Sequence, residues 1–266
     1  MSQQRRPPGK PTEDRKLLRA APYADTSFLE TDAWRALRIM GEFVEGFDAL
    51  ADLGPAVSVF GSARVPADDP SYAQAEELGR RFAEQGITVI TGGGPGIMEA
   101  ANKGAKEAGG ESVGLAIELP HEQATNRYIT RELNFRYFFV RKTMFVKYAQ
   151  GFVIFPGGFG TFDELFESLT LVQTGKIDDF PVILFGSRYW EPLVDWLRDP
   201  VQTHGMIGPK DMDLFRITDD LQQVVGWIQE SFAASRAAQS QAEAHPRPER
   251  VEAKQEKQAQ TTALPE

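Results

Sequence analysis

The chain of 266 residues has no cysteine and only three histidines, His121, His204 and His245. Without cysteine there can be no disulfide, thiolate metal site or cysteine nucleophile. So few imidazoles also argue against a histidine-rich metal centre. No apolar run approaches the roughly 20 residues that a membrane-spanning helix needs. The first residues are basic and proline-containing, with no apolar segment behind them, so no secretory signal is expected. A domain-wide excess of positive charge is lacking too. The formal net charge is -9 and the pI about 5.0, which leaves little basic surface to displace counterions from a nucleic acid. The expectation is a cytoplasmic protein without nucleic-acid or membrane partners.

What is present is an ordinary apolar content, enough for one sizeable core. Residues 1–24 and 237–266 are polar and poor in large apolar side chains, and both read as disordered tails. Between them, residues 25–236 read as a single Rossmann-like nucleotide-binding domain. Apolar residues at helical spacing predict an N-terminal helix over 31–51, with Thr31 or Asp32 as its N-cap. Short apolar strands are predicted at Val57 to Gly61, in ITVIT, at Ser112 to Ile117, at Phe135 to Val140, at Phe152 to Phe155 and at Pro181 to Phe185. Helical patterns separate most of them. Strands that are apolar throughout and alternate with helices indicate an α/β, doubly wound parallel sheet with helices on both faces.

Two glycine turns each follow a strand and open a helix. The first is TGGGPGIMEA, from Thr91 to Ala100, where Gly93, Gly94 and Gly96 could let the backbone approach a ligand. The N–H groups and positive dipole end of the helix suit an anion. The second is PGGFGTFDE, from Pro156 to Glu164. Thr161 could cap the helix or bind phosphate, and Asp163 and Glu164 could serve only the helix dipole. Two such turns at the carboxyl ends of strands favour a shared ligand crevice. A third loop, FGSAR, offers Ser62 and Arg64 to a phosphate or ribose and is the weaker signal. It also stands where a dinucleotide-binding dehydrogenase would carry G-x-G-x-x-G, which counts against that class.

GGGPGIME, ELPHEQATNRY, VRKTMFVKYA and PGGFGTFDELFE, in this order, resemble the LOG (Lonely Guy) family over roughly Val57 to Ile228. The family hallmark is a GGG turn, an Arg-Lys pair on a helix and P-G-G-x-G-T-x-x-E. The extra N-terminal helix is similar to the longer bacterial members. The resemblance implies a phosphoribohydrolase that cleaves the N-glycosidic bond of a purine nucleoside 5′-monophosphate, either a cytokinin riboside 5′-monophosphate or AMP. It also implies no metal or organic cofactor and a homodimer or higher homo-oligomer that shares each site between subunits.

By the same resemblance, Arg141 and Glu164 are the catalytic pair. Glu164 would stabilise an oxocarbenium-like ribose and activate water, and Arg141 would orient Glu164 or bind the phosphate or ribose. Gly157, Gly158, Phe159, Gly160, Thr161, Phe162 and Asp163 match the nucleotide-contacting turn, with Asp163 accepting ribose hydroxyls. Glu122 matches a family carboxylate near base or ribose, with Asn126 a further candidate in the same loop; Lys142 matches the second cation, and Thr170 a contact further along the helix. For Lys142 a surface cation is the competing reading, and for Thr170 a hydroxyl bonded to its own helix. Molybdenum-cofactor carriers share the fold and make a non-catalytic binding protein the alternative.

Overall fold

The central strands are buried at every position because they are covered on both faces. The computed structural model describes residues 12–18, 28–119, 124–178 and 180–244. Seven strands form one sheet: β1 (Ala56–Phe60), β2 (Thr88–Thr91), β3 (Ser112–Ile117), β4 (Arg131–Phe135), β5 (Phe152–Ile154), β6 (Val182–Phe185) and β7 (Phe215–Thr218). Their order is β4-β3-β2-β1-β5-β6-β7, and every neighbouring pair is parallel. The chain winds outward from β1 through β4, then crosses back to place β5 on the other side of β1. The winding therefore reverses between β1 and β5, the position where open α/β sheets bind ligands.

Alternation along β1 shows the two layers. Ala56 and Phe60 join a core with Val140, Met144 and Phe145 of α5 (Phe138–Tyr148), Leu165 of α6 (Phe159–Gln173) and Trp190 of α7 (Ser187–Trp196). Val57 and Val59 face the opposite core, filled by α3 (Pro70–Glu84), α4 (Ile97–Glu107) and α8 (Leu221–Ala244). The doubly wound sheet with helices on both faces is thus present, and the N-terminal helix is α2 (Phe28–Ala49). Thr31 and Asp32 fall inside α2 instead of capping it. Among the described residues, no helix is long and apolar enough to cross a membrane.

Four expectations need correction. The aromatic run from Phe135 to Val140 is not a strand: β4 ends at Phe135 and α5 begins at Phe138. Buried Glu42 accepts hydrogen bonds from the N–H groups of Arg136 and Tyr137, and Asp14 accepts from Phe138 N–H. These carboxylates come from elements distant in sequence and hold the helix start, overriding the β-propensity of the aromatic residues. Asp14 lies on α1 (Glu13–Leu17), so part of the N-terminal stretch expected to be disordered is a short helix. Glu13 ties it to α2 through Arg38, at 3.2 Å. At the other end α8 continues to Ala244, past the expected boundary at 236, and the rest of both tails lies outside the described residues. Finally, β7 was not expected from the sequence. At the sheet edge its buried and exposed positions mix, so the short FRIT carries little apolar signal.

Candidate active site

Three loops converge at the carboxyl ends of β1, β2 and β5. Ser62 N–H donates to Pro156 O at 3.0 Å, and Ile97 N–H donates to Ser62 O at 3.1 Å. The FGSAR loop is therefore stitched to both glycine turns. Gly96 serves this junction rather than leaving room for a ligand. Its φ is +69°, and a Cβ there would lie 2.4 Å from Ser62 O. Only glycine allows that backbone and that approach together. The Ser62 hydroxyl accepts from Arg64 N–H at 3.1 Å and so shapes its own loop.

The first turn is tied down by buried polar groups. Gly93 N–H donates to Thr91 Oγ1, and the carbonyls of Gly93 and Gly94 accept from Asn126. Asn126 therefore grips the turn. Glu122, expected in the same loop, lies outside the described residues. Sequence reasoning did not single out Thr91, Asn102 and Ser112, which support this grip. A polar residue closing the apolar strand ITVIT, and a lone asparagine in the small-residue helix stretch EAANKGA, were the available signals.

In the second turn α6 starts after Gly158, its N-cap. The N–H groups of Phe159 and Gly160 open the helix and have no carbonyl within it to accept them. Gly157 O accepts from the Tyr189 hydroxyl. Thr161 is buried, whereas the Phe159 side chain is 94% exposed. Glu164, one turn on, is only 4% exposed. Thr170 donates its hydroxyl to Phe166 O at 2.7 Å, the helix-bonded alternative considered for it. It borders an open groove of ≈ 610 Å³ with Phe159, Phe162, Phe166 and Leu171.

Arg141 and Lys142 are brought in by α5. The Arg141 guanidinium lies over the rings of Phe138 and Phe145, at 4.9 and 5.5 Å. It reaches the first turn: a Cβ on Gly92 would be 3.9 Å from Nη1. Lys142 turns to α6 and pairs with Asp163 at 2.9 Å and Glu167 at 2.5 Å. One ammonium thus bridges the two carboxylates that flank Glu164, and α5 is tied to α6. Burial works against the Lys142 charge, but these hydrogen bonds outweigh it and its pKa is raised.

The decisive observation concerns Arg141 and Glu164 together. Arg141 Nε and Glu164 Oε2 are both buried without a hydrogen-bond partner. Buried polar atoms are normally satisfied; of the four buried side-chain atoms left without a partner among the described residues, the others being Ser58 Oγ and Tyr137 Oη, only these two belong to charged side chains, and their charges are opposite. Burial pushes the Glu164 carboxyl up to about 7, against the pull of Lys142 and Arg141. Burial also lowers the Arg141 pKa, opposed by Glu164, Asp163 and Asp14. A carboxyl poised near neutrality can exchange protons with a reacting water.

The model of a family described as possible lysine decarboxylase matches residues 98–228, a span that includes Arg141, Lys142 and the whole second turn. The chain is 28% identical over 181 residues to the cytokinin riboside 5′-monophosphate phosphoribohydrolase of Rhodococcoides fascians, a match covering 65% of this chain and 88% of the relative. It is also 28% identical over 170 residues to the protein of the same name from Mycobacterium tuberculosis, covering 60% and 88%. By these matches the chain is similar to the LOG family. A solved structure of the protein TM1055 has 24% identity and a TM-score of 0.51, covers 66% of this chain and 99% of its own, and shares the fold. In this chain α1 and α2 precede the sheet and supply the carboxylates that hold the start of the Arg141 helix.

Proposed function

We propose that this protein hydrolyses the N-glycosidic bond of purine nucleoside 5′-monophosphates, releasing the free base and ribose 5-phosphate. The observation that carries the reading is the unfilled buried pair, Arg141 Nε and Glu164 Oε2, set between two glycine turns at the winding reversal of the sheet. The names of the relatives support this reaction class and make a cytokinin riboside 5′-monophosphate or AMP the first substrates to try. The reading includes a cytoplasmic location.

The phosphate is assigned to the glycine turns and the N-terminus of α6, where helix N–H groups favour an anion. As the C1′–N bond breaks, its electron pair leaves with the base and positive charge develops on the ribose. Glu164 stabilises that charge and takes a proton from the water whose oxygen bonds to C1′. The departing base gains a proton, which balances the reaction. Arg141 holds Glu164 or the substrate's anionic groups in place. The chemistry assigned to these residues uses no metal or organic cofactor.

The test is incubation of the purified protein with AMP, GMP, CMP, IMP and N6-isopentenyl-AMP, followed by chromatography for free base. Base from none of them overturns the hydrolase reading. A nucleotide or pterin retained tightly, with no base released, would make the protein a carrier.

The reading includes a homo-oligomer. Leu37, Met40, Val44 and Phe47 line α2 at alternating spacings of three and four and are exposed, beside exposed Trp34. That is the spacing of a helix seam. Arg35 lies towards one end of the stripe and Glu45 and Asp48 towards the other, so antiparallel pairing with a second copy brings opposite charges together. Met40→Glu is expected to shift the sedimentation coefficient to that of a smaller species. A wild-type monomer at micromolar concentration contradicts it.

A further inference from the structure

The first glycine turn does not stand alone. Thr91 Oγ1 accepts from Gly93 N–H at 3.0 Å and donates to Asn102 Oδ1 at 2.6 Å. Asn102 is fully buried, and its Nδ2 donates to Ser112 Oγ at 2.7 Å. The same Asn102 Oδ1 accepts from Asn126 Nδ2 at 2.9 Å. Asn126 Nδ2 also donates to the carbonyls of Gly93 and Gly94, at 3.2 and 3.1 Å, and Asn126 N–H donates to Gly93 O at 2.8 Å. Asn126 Oδ1 accepts from Tyr128 N–H. Every polar atom of the Asn126 side chain is thus engaged inside the protein, which removes the simplest reason for it to contact a nucleotide.

We infer that Thr91, Asn102 and Asn126 form a positioning device that sets which N–H groups of the first glycine turn are offered to the phosphate of the substrate. The physical argument is the planarity of the peptide. In a trans peptide the C=O and the following N–H lie on opposite edges of one plane. The Gly93 carbonyl is held by Asn126, so the Gly94 N–H points away from it, and among the described residues it carries no hydrogen bond. Gly93 N–H, by contrast, is consumed by Thr91. Gly93 has φ +72° and glycine neighbours on both sides, so the turn itself does little to prevent this plane from flipping. The network selects one orientation, with Gly94 as the donor and Gly93 withheld. Asn102 joins strand β2, helix α4, strand β3 and the 124–130 loop at one buried point. None of the three side chains is assigned contact with substrate; they act through the turn.

The inference rests on the reading of the turn as a phosphate site, and its test separates the two. Thr91→Val keeps size and shape while removing the hydroxyl, and Asn126→Ala removes the grip from the other side. Asn102→Ala is held in reserve because it leaves buried partners unsatisfied and risks misfolding. Ribose 5-phosphate and AMP binding are measured by calorimetry, hydrolysis by initial rates, and amide exchange at Gly93 and Gly94 by NMR. Each variant is expected to raise Kd and KM by ~10-fold while kcat changes less than ~3-fold, a split that a general loss of structure does not produce. Exchange at Gly93, whose N–H loses its acceptor in Thr91→Val, accelerates relative to Gly94, whose N–H has no acceptor to lose. Thr91→Val with Asn126→Ala is expected to be less than additive, because both act on one turn. Wild-type binding with unchanged Kd in both variants overturns this inference alone. Wild-type protein that binds neither ligand overturns the phosphate reading and this inference with it.

Discussion

The two glycine turns look alike in sequence and differ in how they are finished. Around the first, Thr91, Asn102, Ser112 and Asn126 satisfy one another and the turn's own backbone. Around the second, two buried charged side chains keep an unfilled atom each. A satisfied network rigidifies, whereas an unsatisfied pair keeps a cost that a ligand or water can relieve. Under the proposed function the first turn is therefore a mould and the second the place of reaction. The Lys142 ion pairs join the two regions, tying the helix of Arg141 to that of Glu164.

The comparison breaks most visibly at Glu164. Glu164→Gln is expected to lower turnover by ~10²–10⁴ with the fold intact, measured as base released per unit time. The same change carries a stability signature. Burial raises the Glu164 pKa from 4.5 to about 7, so the unfolded chain ionises first as pH rises. Folding stability is then lost between these two values, and the full cost remains above the higher one. Chemical denaturation at pH 8 is expected to find Glu164→Gln more stable than wild type by up to about 3 kcal/mol, with the difference vanishing near pH 4. A mutant that is less stable at pH 8 contradicts the burial argument.

Next in size is Arg141→Met. It is expected to cost ~10²-fold in kcat/KM and to move the rising limb of the pH–rate profile upward from about 7, because the Arg141 charge favours the ionised Glu164. An unmoved limb would separate the two residues. Lys142→Met sharpens the same point more gently. Without its ammonium, Asp163 and Glu167 repel the Glu164 charge, so the limb again moves up while turnover falls ~10-fold or less. Smallest of all is Thr170→Val, whose exposed hydroxyl bonds only its own helix in the structure. Stability within about 0.5 kcal/mol and an unchanged KM are expected, and a raised KM would return Thr170 to the substrate site.

Much of this was legible because it is local. VSV, TVIT, FVI and VILF read as buried strands from their composition, and SVGLAI from Ser112 to Ile117 matches β3 at both ends. Glycine after a strand marked both turns. FRYFFV misled because aromatic residues suit a strand, while Glu42 and Asp14, which make its second half a helix, lie 94 or more residues upstream. Asn126 illustrates the middle ground. Its loop was recognisable, but its commitment to Gly93 and Gly94 depends on α4 and β3 meeting beneath it.

By itself the sequence determined the class of fold, since apolar runs punctuated by glycine turns and helical patterns leave a covered parallel sheet as the economical way to bury them. It also marked the two glycine turns, each opening a helix whose N–H groups suit an anion. Only the tertiary structure decided that Glu164 is a carboxyl poised near neutrality instead of a helix-dipole partner. Desolvation is a property of everything packed around a group, and for Glu164 that includes α5 and the Arg141 and Lys142 it brings, which no reading of PGGFGTFDE alone contains.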